Sequence, residues 1–281
     1  MRTLGTVAEA VELRRSAPSP FVLVPTMGAL HAGHAALIAE ARRRAGTGGT
    51  VAVSIFVNPT QFGPAEDFSR YPHTPAADDE ICRRHGADVI FAPVSGEMYR
   101  PDESTVVEET QLTRGLCGPG RPGHFRGVCT VVAKLFQILR PDAAIFGEKD
   151  YQQLAVIRRM VRDLFFPVEV IGHPTVREPD GLALSSRNRY LQPDERARAV
   201  HFPAALRAAK NETSVAQILA TARQLIAEGT GSEPEYVALV DADNLEPLAQ
   251  LGRSAVLAAA VRLGQTRLID NVRLASSHAK V

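Results

Sequence analysis

Two histidines stand three residues apart in His31-Ala32-Gly33-His34, just after an apolar, β-branched run and at the head of a helical pattern. Imidazoles at that spacing point toward one spot, Gly33 lets a ligand approach the backbone, and a helix N-terminus favours an anion. The arrangement suits a phosphate clamp. Two other readings stay open on spacing alone: a zinc site, for which no compelling third ligand stands out, and a pair of unrelated surface histidines. Phe146-Gly147-Glu148-Lys149-Asp150 follows a predicted strand and places a compact cation where it would meet phosphate oxygens or form a surface ion pair. Ser185-Ser186-Arg187-Asn188 adds hydroxyls and a guanidinium, suited to hydrogen bonding with phosphate or to capping a turn. Neither serine lies in a G-x-S-x-G elbow, which argues against a hydrolase nucleophile. The first loop has neither G-x-G-x-x-G nor the phosphate loop G-x-x-x-x-G-K-[ST], which argues against a dinucleotide dehydrogenase and a P-loop ATPase.

The elements that must carry these groups alternate between short apolar runs and longer helical stretches, the pattern of parallel strands joined by crossover helices. Strands are predicted at Phe21 to Val24, Thr50 to Val57, Asp88 to Phe91, Ala143 to Phe146 and Val168 to Ile171, with a further short one at Thr105 to Glu108. Helices are predicted from about His34 to Arg44, Ala76 to His85, Val128 to Leu139 and Tyr151 to Leu164. That is an open α/β sheet, whose ligands sit beyond the carboxyl ends of the strands, in the loops Pro25 to His34, Asn58 to Gly63 and Gly147 to Tyr151. Past the prolines Pro174 and Pro179 the pattern changes to two helical stretches and strands at Tyr236 to Val240, Ala255 to Val261 and Arg267 to Ile269, a smaller α+β domain. Gly115 to His124, with four glycines and two prolines, reads either as a lid over a site or as a long turn.

Composition narrows the classes of partner. Thirty-two Lys and Arg balance thirty-one Asp and Glu, giving a net charge of +1. No global field draws such a chain to nucleic acid or an anionic membrane, so a charged ligand must be held locally. No apolar run approaches the roughly 18 residues of a membrane helix. Met1 to Arg15 carries Glu9 and Glu12 and lacks a signal-peptide core, so the cytoplasm is the expected compartment. Cys82, Cys117 and Cys129 have no metal-like spacing and read as free thiols.

Taken together, Pro25-Thr26-Met27-Gly28-Ala29-Leu30-His31-x-Gly33-His34, Phe56-Val57-Asn58-Pro59-x-Gln61-Phe62, Gly147-Glu148-Lys149-Asp150-Tyr151-Gln152-Gln153 and Ser185-Ser186-Arg187-Asn188 occur in an order and spacing that closely resembles the pantothenate synthetases, the pantoate–β-alanine ligases. The resemblance runs through Thr266-Arg267-Leu268-Ile269-Asp270-Asn271 and is strongest from 21 to 191. The H-x-G-H element alone would suggest only the wider superfamily of nucleotidyl transferases and class I aminoacyl-tRNA synthetases. A nucleotidylyltransferase acting on another small acceptor, or a nucleotide-binding module without catalysis, are the alternatives to the ligase.

The resemblance implies a Rossmann-like ATP- and pantoate-binding domain over 1–175 and a smaller α+β domain over 176–281 that covers the site. It implies ATP-dependent condensation of pantoate with β-alanine through a pantoyl adenylate, with release of AMP and pyrophosphate. By the same resemblance His31, His34, Lys149, Ser185 and Arg187 contact ATP phosphates and Asp150 holds the ribose. Met27, Gly147, Val176 and Ser186 complete the nucleotide set. Gln61 and Gln153 bond pantoate's hydroxyls and carboxylate, Asn58 joins them, and Met27 and Phe56 face its methyl groups. Asp78 matches an acidic position associated with Mg2+, although neighbouring family acids are replaced by Ala76 and Ala77. Arg121 and His124 are candidates for the β-alanine carboxylate. A cytoplasmic homodimer, without nucleic acid or membrane partners, is implied.

Overall fold

The computed structural model describes residues 1–64 and 66–275. Nine strands and nine α-helices are found among them, and they divide into two units. The division is not a single cut in the chain. The first unit holds 1–110, 120–148 and 156–174, and the second holds 111–119, 149–155 and 175 onward.

In the first unit, six strands form an all-parallel sheet. These are β1 (Arg2–Leu4), β2 (Phe21–Thr26), β3 (Thr50–Ile55), β4 (Val89–Phe91), β5 (Ala143–Gly147) and β6 (Glu169–His173), in the order β1-β4-β3-β2-β5-β6. The central strands are near-continuous apolar runs because helices cover both faces of such a sheet. Phe21, Val22, Leu23 and Val24 are at most 1% exposed. From β2 the order runs outward to β3 on one side and to β5 on the other, so the strand order reverses between β2 and β5. The loop after β2 carries His31, and the stretch after β5 carries Lys149.

Helices α1 (Val7–Ser16), α2 (Ala32–Ala45), α3 (Pro75–Arg84), α4 (Ser95–Met98) and α5 (His124–Leu139) belong to this unit. Helix α2 lays Leu37, Ile38, Ala41 and Ala45 on Val22, Val24, Val51 and Val53. Helix α6 (Tyr151–Asp163) starts in the second unit and ends in the first. The second unit continues with α7 (Pro193–Ala199), α8 (His201–Ala209), α9 (Val215–Thr230) and an antiparallel sheet of β7 (Pro234–Asp241), β8 (Ala255–Leu263) and β9 (Thr266–Leu274). Its core joins Phe202 and Leu206 of α8 and Ile218, Ala222 and Ile226 of α9 to alternate residues of β8, namely Ala255, Leu257, Ala259, Val261 and Leu263.

Several elements differ from the sequence reading. Thr105 to Glu108 is not a strand, because Val107 exchanges its hydrogen bonds with the Thr130 hydroxyl on α5 rather than with a neighbouring strand. The N-terminal segment supplies β1, paired with β4, and then α1, whose start is closed by a reciprocal Thr6–Glu9 capping box. Among the described residues no helix is long and apolar enough to cross a membrane.

Candidate functional site

The loop after β2 is shaped by backbone demands first. Gly28 and Ala29 both adopt left-handed φ, at +79° and +50°, and the Gly28 N–H donates to the Thr26 hydroxyl at 3.1 Å. The turn is then tied down by Asp78 of α3, 2% exposed, whose oxygens accept from the amides of Ala29 (3.1 Å) and Leu30 (2.8 Å) and from the Thr74 hydroxyl (3.0 Å). Both carboxylate oxygens are thus engaged in loop geometry. Among the described residues no group of three or more His, Cys, Asp or Glu is arranged to hold a metal ion.

Fixing this turn sets the start of α2. His31 is its N-cap, with Nδ1 accepting from the Gly33 amide at 3.1 Å, and His34 follows in the first turn. A neutral His31 therefore carries its proton on Nε2. The two rings lie with centroids 4.1 Å apart, beside the positive end of a 14-residue helix. Two imidazoles and a helix N-terminus in one place offer N–H donors of the kind that suits an anion.

A second cluster in the same unit follows β3. Asn58, 1% exposed, caps the 3-10 turn Pro59–Gln61 and donates through Nδ2 to Gln61 Oε1 (3.0 Å) and to the Gly127 carbonyl (3.1 Å). Gln61 Nε2 donates to Met27 Sδ at 3.0 Å. Met27, Asn58 and Gln61, which the resemblance groups around pantoate, are thus brought into one contact chain. Phe56 is 5% exposed, and its ring centroid lies 6.2 Å from that of Tyr99. Tyr99 was not read from the sequence, since no motif surrounds it; its hydroxyl donates to Asn58 Oδ1 at 2.7 Å, and burial pushes its phenol above the usual range, keeping it a donor. Gly127 was also missed as an individual residue. It is what lets α5 approach the turn, because a Cβ there would overlap the Thr60 carbonyl and come within 2.7 Å of the Gln61 nitrogen.

Arg121 and His124 form a continuous relay in this unit. Arg121 grips Glu66 in a bidentate pair at 2.8 and 2.6 Å, its third nitrogen lies 2.9 Å from His124 Nε2, and His124 Nδ1 lies 2.8 Å from the Gln61 carbonyl. Arg121 has only donors, so Nε2 accepts and the Nδ1–H donates to Gln61. The Nε–Nη2 edge of Arg121, one of the faces on which a guanidinium can take a carboxylate, is occupied by Glu66.

The remaining proposed residues, apart from Gly147 at the end of β5, lie in the second unit. Lys149 Nζ is 3.7 Å from Asp150 Oδ1, and the Lys149 carbonyl accepts from Asn271 Nδ2 at 3.0 Å. Tyr151 donates to the Ala242 carbonyl at 2.9 Å. Val176 and Ser185 flank a short hairpin in which Arg177 bridges Ala183, and Arg177 forms a bidentate pair with buried Asp270 at 2.6 and 2.9 Å. Ser185 caps the 3-10 turn Ser186–Tyr190 by accepting from the Arg187 amide at 3.3 Å, the capping role considered from sequence. Its O–H remains a donor. Asn188 fastens the turn to Glu178 (3.1 Å) and to the Ala183 carbonyl (3.0 Å).

Comparison with known proteins follows the same lines. The pantoate-beta-alanine ligase family matches residues 1–273. A pantothenate synthetase from Sphingopyxis alaskensis is 51% identical over 276 residues, 97% of this chain and 98% of that protein. The crystal structure of pantothenate synthetase from Thermus thermophilus aligns with a TM-score of 0.90 at 47% identity, covering 97% of this chain and 99% of that one. A pantoate-beta-alanine ligase from Francisella tularensis, crystallised with βγ ATP and β-alanine, aligns with a TM-score of 0.80 at 33% identity, covering 97% of both chains.

Proposed function

The chain belongs to the pantoate-beta-alanine ligase family and condenses pantoate with β-alanine using ATP, and we propose that it does so through a pantoyl adenylate, releasing AMP and pyrophosphate. Kinship over the whole length carries the reading and favours the ligase over a nucleotidylyltransferase or a non-catalytic nucleotide-binding module.

In the first step the pantoate carboxylate attacks the α-phosphorus of ATP and pyrophosphate leaves. Two anions must be held in line while charge grows on the departing oxygens, so donors and cations are needed rather than a protein nucleophile. His31, His34, Lys149, Ser185 and Arg187 serve that purpose. Asp150 holds the ribose, and Met27, Gly147, Val176 and Ser186 complete the nucleotide contacts. On pantoate, Gln61 and Gln153 take the hydroxyls and carboxylate, with Met27 and Phe56 against the methyl groups. Asn58 positions Gln61: by occupying Oε1 it directs Nε2 toward Met27 and leaves that amide's second hydrogen for substrate.

In the second step the neutral amine of β-alanine attacks the acyl carbonyl and AMP departs as a good leaving group. Asp78, with both oxygens on the loop, is assigned to anchoring the His31 turn rather than to binding metal. Mg2+ enters as the substrate complex of ATP, held by phosphate oxygens and water. The family resemblance supports a cytoplasmic homodimer as the expected form, and light scattering checks the dimer.

The decisive experiment places oxygen label in the pantoate carboxylate. Label recovered in AMP establishes the adenylate; label in phosphate, with ADP formed, overturns it in favour of an acyl phosphate. In parallel, pantoate with ATP and no β-alanine supports exchange of labelled pyrophosphate into ATP.

A further inference from the structure

We infer that Gln152 is a positioning residue for the stretch carrying Lys149 and Gln153, acting by clasping the coil 112–117 to the first turn of α6. The inference rests on the reading of Lys149 and Gln153 as substrate-binding residues.

Gln152 points away from solvent, 6% exposed, and uses its whole amide on one short segment. Oε1 accepts from the Cys117 amide at 2.9 Å, and Nε2 donates to the carbonyls of Leu112 and Gly115, both at 2.8 Å. The orientation of the amide follows from its partners, since a flipped group would set two carbonyls against its oxygen and one N–H against its nitrogen. The coil it grips is itself compact: the Gly118 amide donates to the Gly115 carbonyl at 3.0 Å, and a Cβ at Gly118 would collide with the Thr113 carbonyl.

The same coil is held from the antiparallel sheet. Cys117 Sγ lies 3.3 Å from the Tyr236 hydroxyl and 3.7 Å from both terminal nitrogens of Arg267, which donates through Nε to Glu235 at 2.6 Å. Burial pushes the Tyr236 phenol up, so it remains a proton donor. Three residues before Gln152, the Lys149 carbonyl is fixed by Asn271 of β9. Asn271, Gln152 and Cys117 therefore set the Lys149–Gln153 stretch from within one unit, and Gln152 makes three of those hydrogen bonds. The half of the glycine-rich segment up to Gly118 is a fastened base for whatever lies beyond it.

The test uses Gln152→Met, close in size and without hydrogen bonds, and Gln152→Glu, which keeps an acceptor for Cys117 but opposes two carbonyls with a carboxylate. Both are compared with the parent by thermal melting, by tryptic cleavage after exposed Arg114, and by pantoate-dependent pyrophosphate exchange. The expected result is a folded protein cut after Arg114 at least about tenfold faster, with the exchange rate at saturating substrates reduced at least about tenfold. The β-alanine KM in the full reaction stays unchanged. Combined with Gln153→Ala, the Gln152→Met loss is smaller than in the parent, as coupled residues require. Exchange at the parent rate in a Gln152→Met protein whose coil has loosened overturns the inference. So does fast hydrogen exchange at the Cys117 amide of the unaltered protein, a measurement that needs no variant to fold. If Lys149→Ala and Gln153→Ala both exchange normally while Gln152→Met still loosens the coil, the inference falls through the site reading, and the proteolysis distinguishes this from a failed clasp.

Discussion

His31 and His34 stack with their ring centroids 4.1 Å apart and planes tilted by 35°, while His31 Nδ1 simultaneously caps α2 through the Gly33 amide. One side chain thus does two things that mutagenesis can separate. Asn is as good an N-cap as any residue but has no imidazole. His31→Asn is expected to melt within a few degrees of the parent yet to lose on the order of 100-fold in pantoate-dependent pyrophosphate exchange, the typical loss for one donor aimed at developing charge. His34→Ala is expected to match it. A normal exchange rate in His31→Asn would reduce the imidazole to a helix cap.

The burial of Asp78 against the Ala29 and Leu30 amides predicts a stability defect rather than a metal defect. Removing the carboxylate strands two backbone donors, each worth about 1–3 kcal/mol when left unsatisfied. Asp78→Ala is therefore expected to lower the unfolding free energy by roughly 2–4 kcal/mol in urea titrations. The Mg2+ concentration giving half-maximal exchange should not move. A tenfold rise in that concentration would return the carboxylate to the metal.

The contrast between these residues shows what a sequence can disclose. The His31–His34 pair and the turn at Ser185–Asn188 are legible because their local spacing already implies a shared helix start and a capped turn. Strands β2, β3 and β5 are legible because burial on two faces makes them continuous apolar runs. Strand β1 spans only three residues, and its partner β4 lies at residues 89–91, so nothing local announces it. Thr105 to Glu108 has the composition of a strand, but its Val107 backbone bonds with the Thr130 hydroxyl rather than with a strand. Asp78, Tyr99, Gly127 and Gln152 likewise act through contacts far away in the chain, with loop amides, Asn58, the Thr60 backbone and the coil at 112–117. A side chain's type is local information; the partner that gives it a role is not.

Cys82 and Cys129 are fully buried, and burial, reinforced by nearby acidic groups, pushes each thiol up to about 12. Neither should react with iodoacetamide at about pH 8 until the protein is unfolded, because the thiolate is the nucleophile. The sign of the pH effect follows. The native state keeps these protons above the ordinary thiol value of 9.0, where the unfolded chain releases them, so both contributions are intact below pH 9.0 and decline between there and about 12. Replacing either cysteine with Ala should flatten the alkaline fall in unfolding free energy relative to the parent; an unchanged slope would mean the thiols ionise alike in both states.

Gly127 sits on α5 where the helix meets the 3-10 turn bearing Gln61, with its carbonyl accepting from Asn58. A methyl group there would overlap the Thr60 carbonyl and lie 2.6 Å from its carbon and 2.7 Å from the Gln61 nitrogen. All three are backbone atoms, so no side-chain rotation relieves the contact, and the turn has to move away from the helix. The shift would stretch the Asn58–Gly127 hydrogen bond and swing Gln61 off Met27, while His31, His34 and the cap of α2 stay in place. Gly127→Ala is therefore expected to raise the KM for pantoate by about tenfold or more, by displacing an amide from a hydroxyl-bearing ligand. The KM for ATP should change much less. Initial-rate measurements varying each substrate separately read the split, and equal increases for both substrates would show that the turn does not belong to the pantoate site.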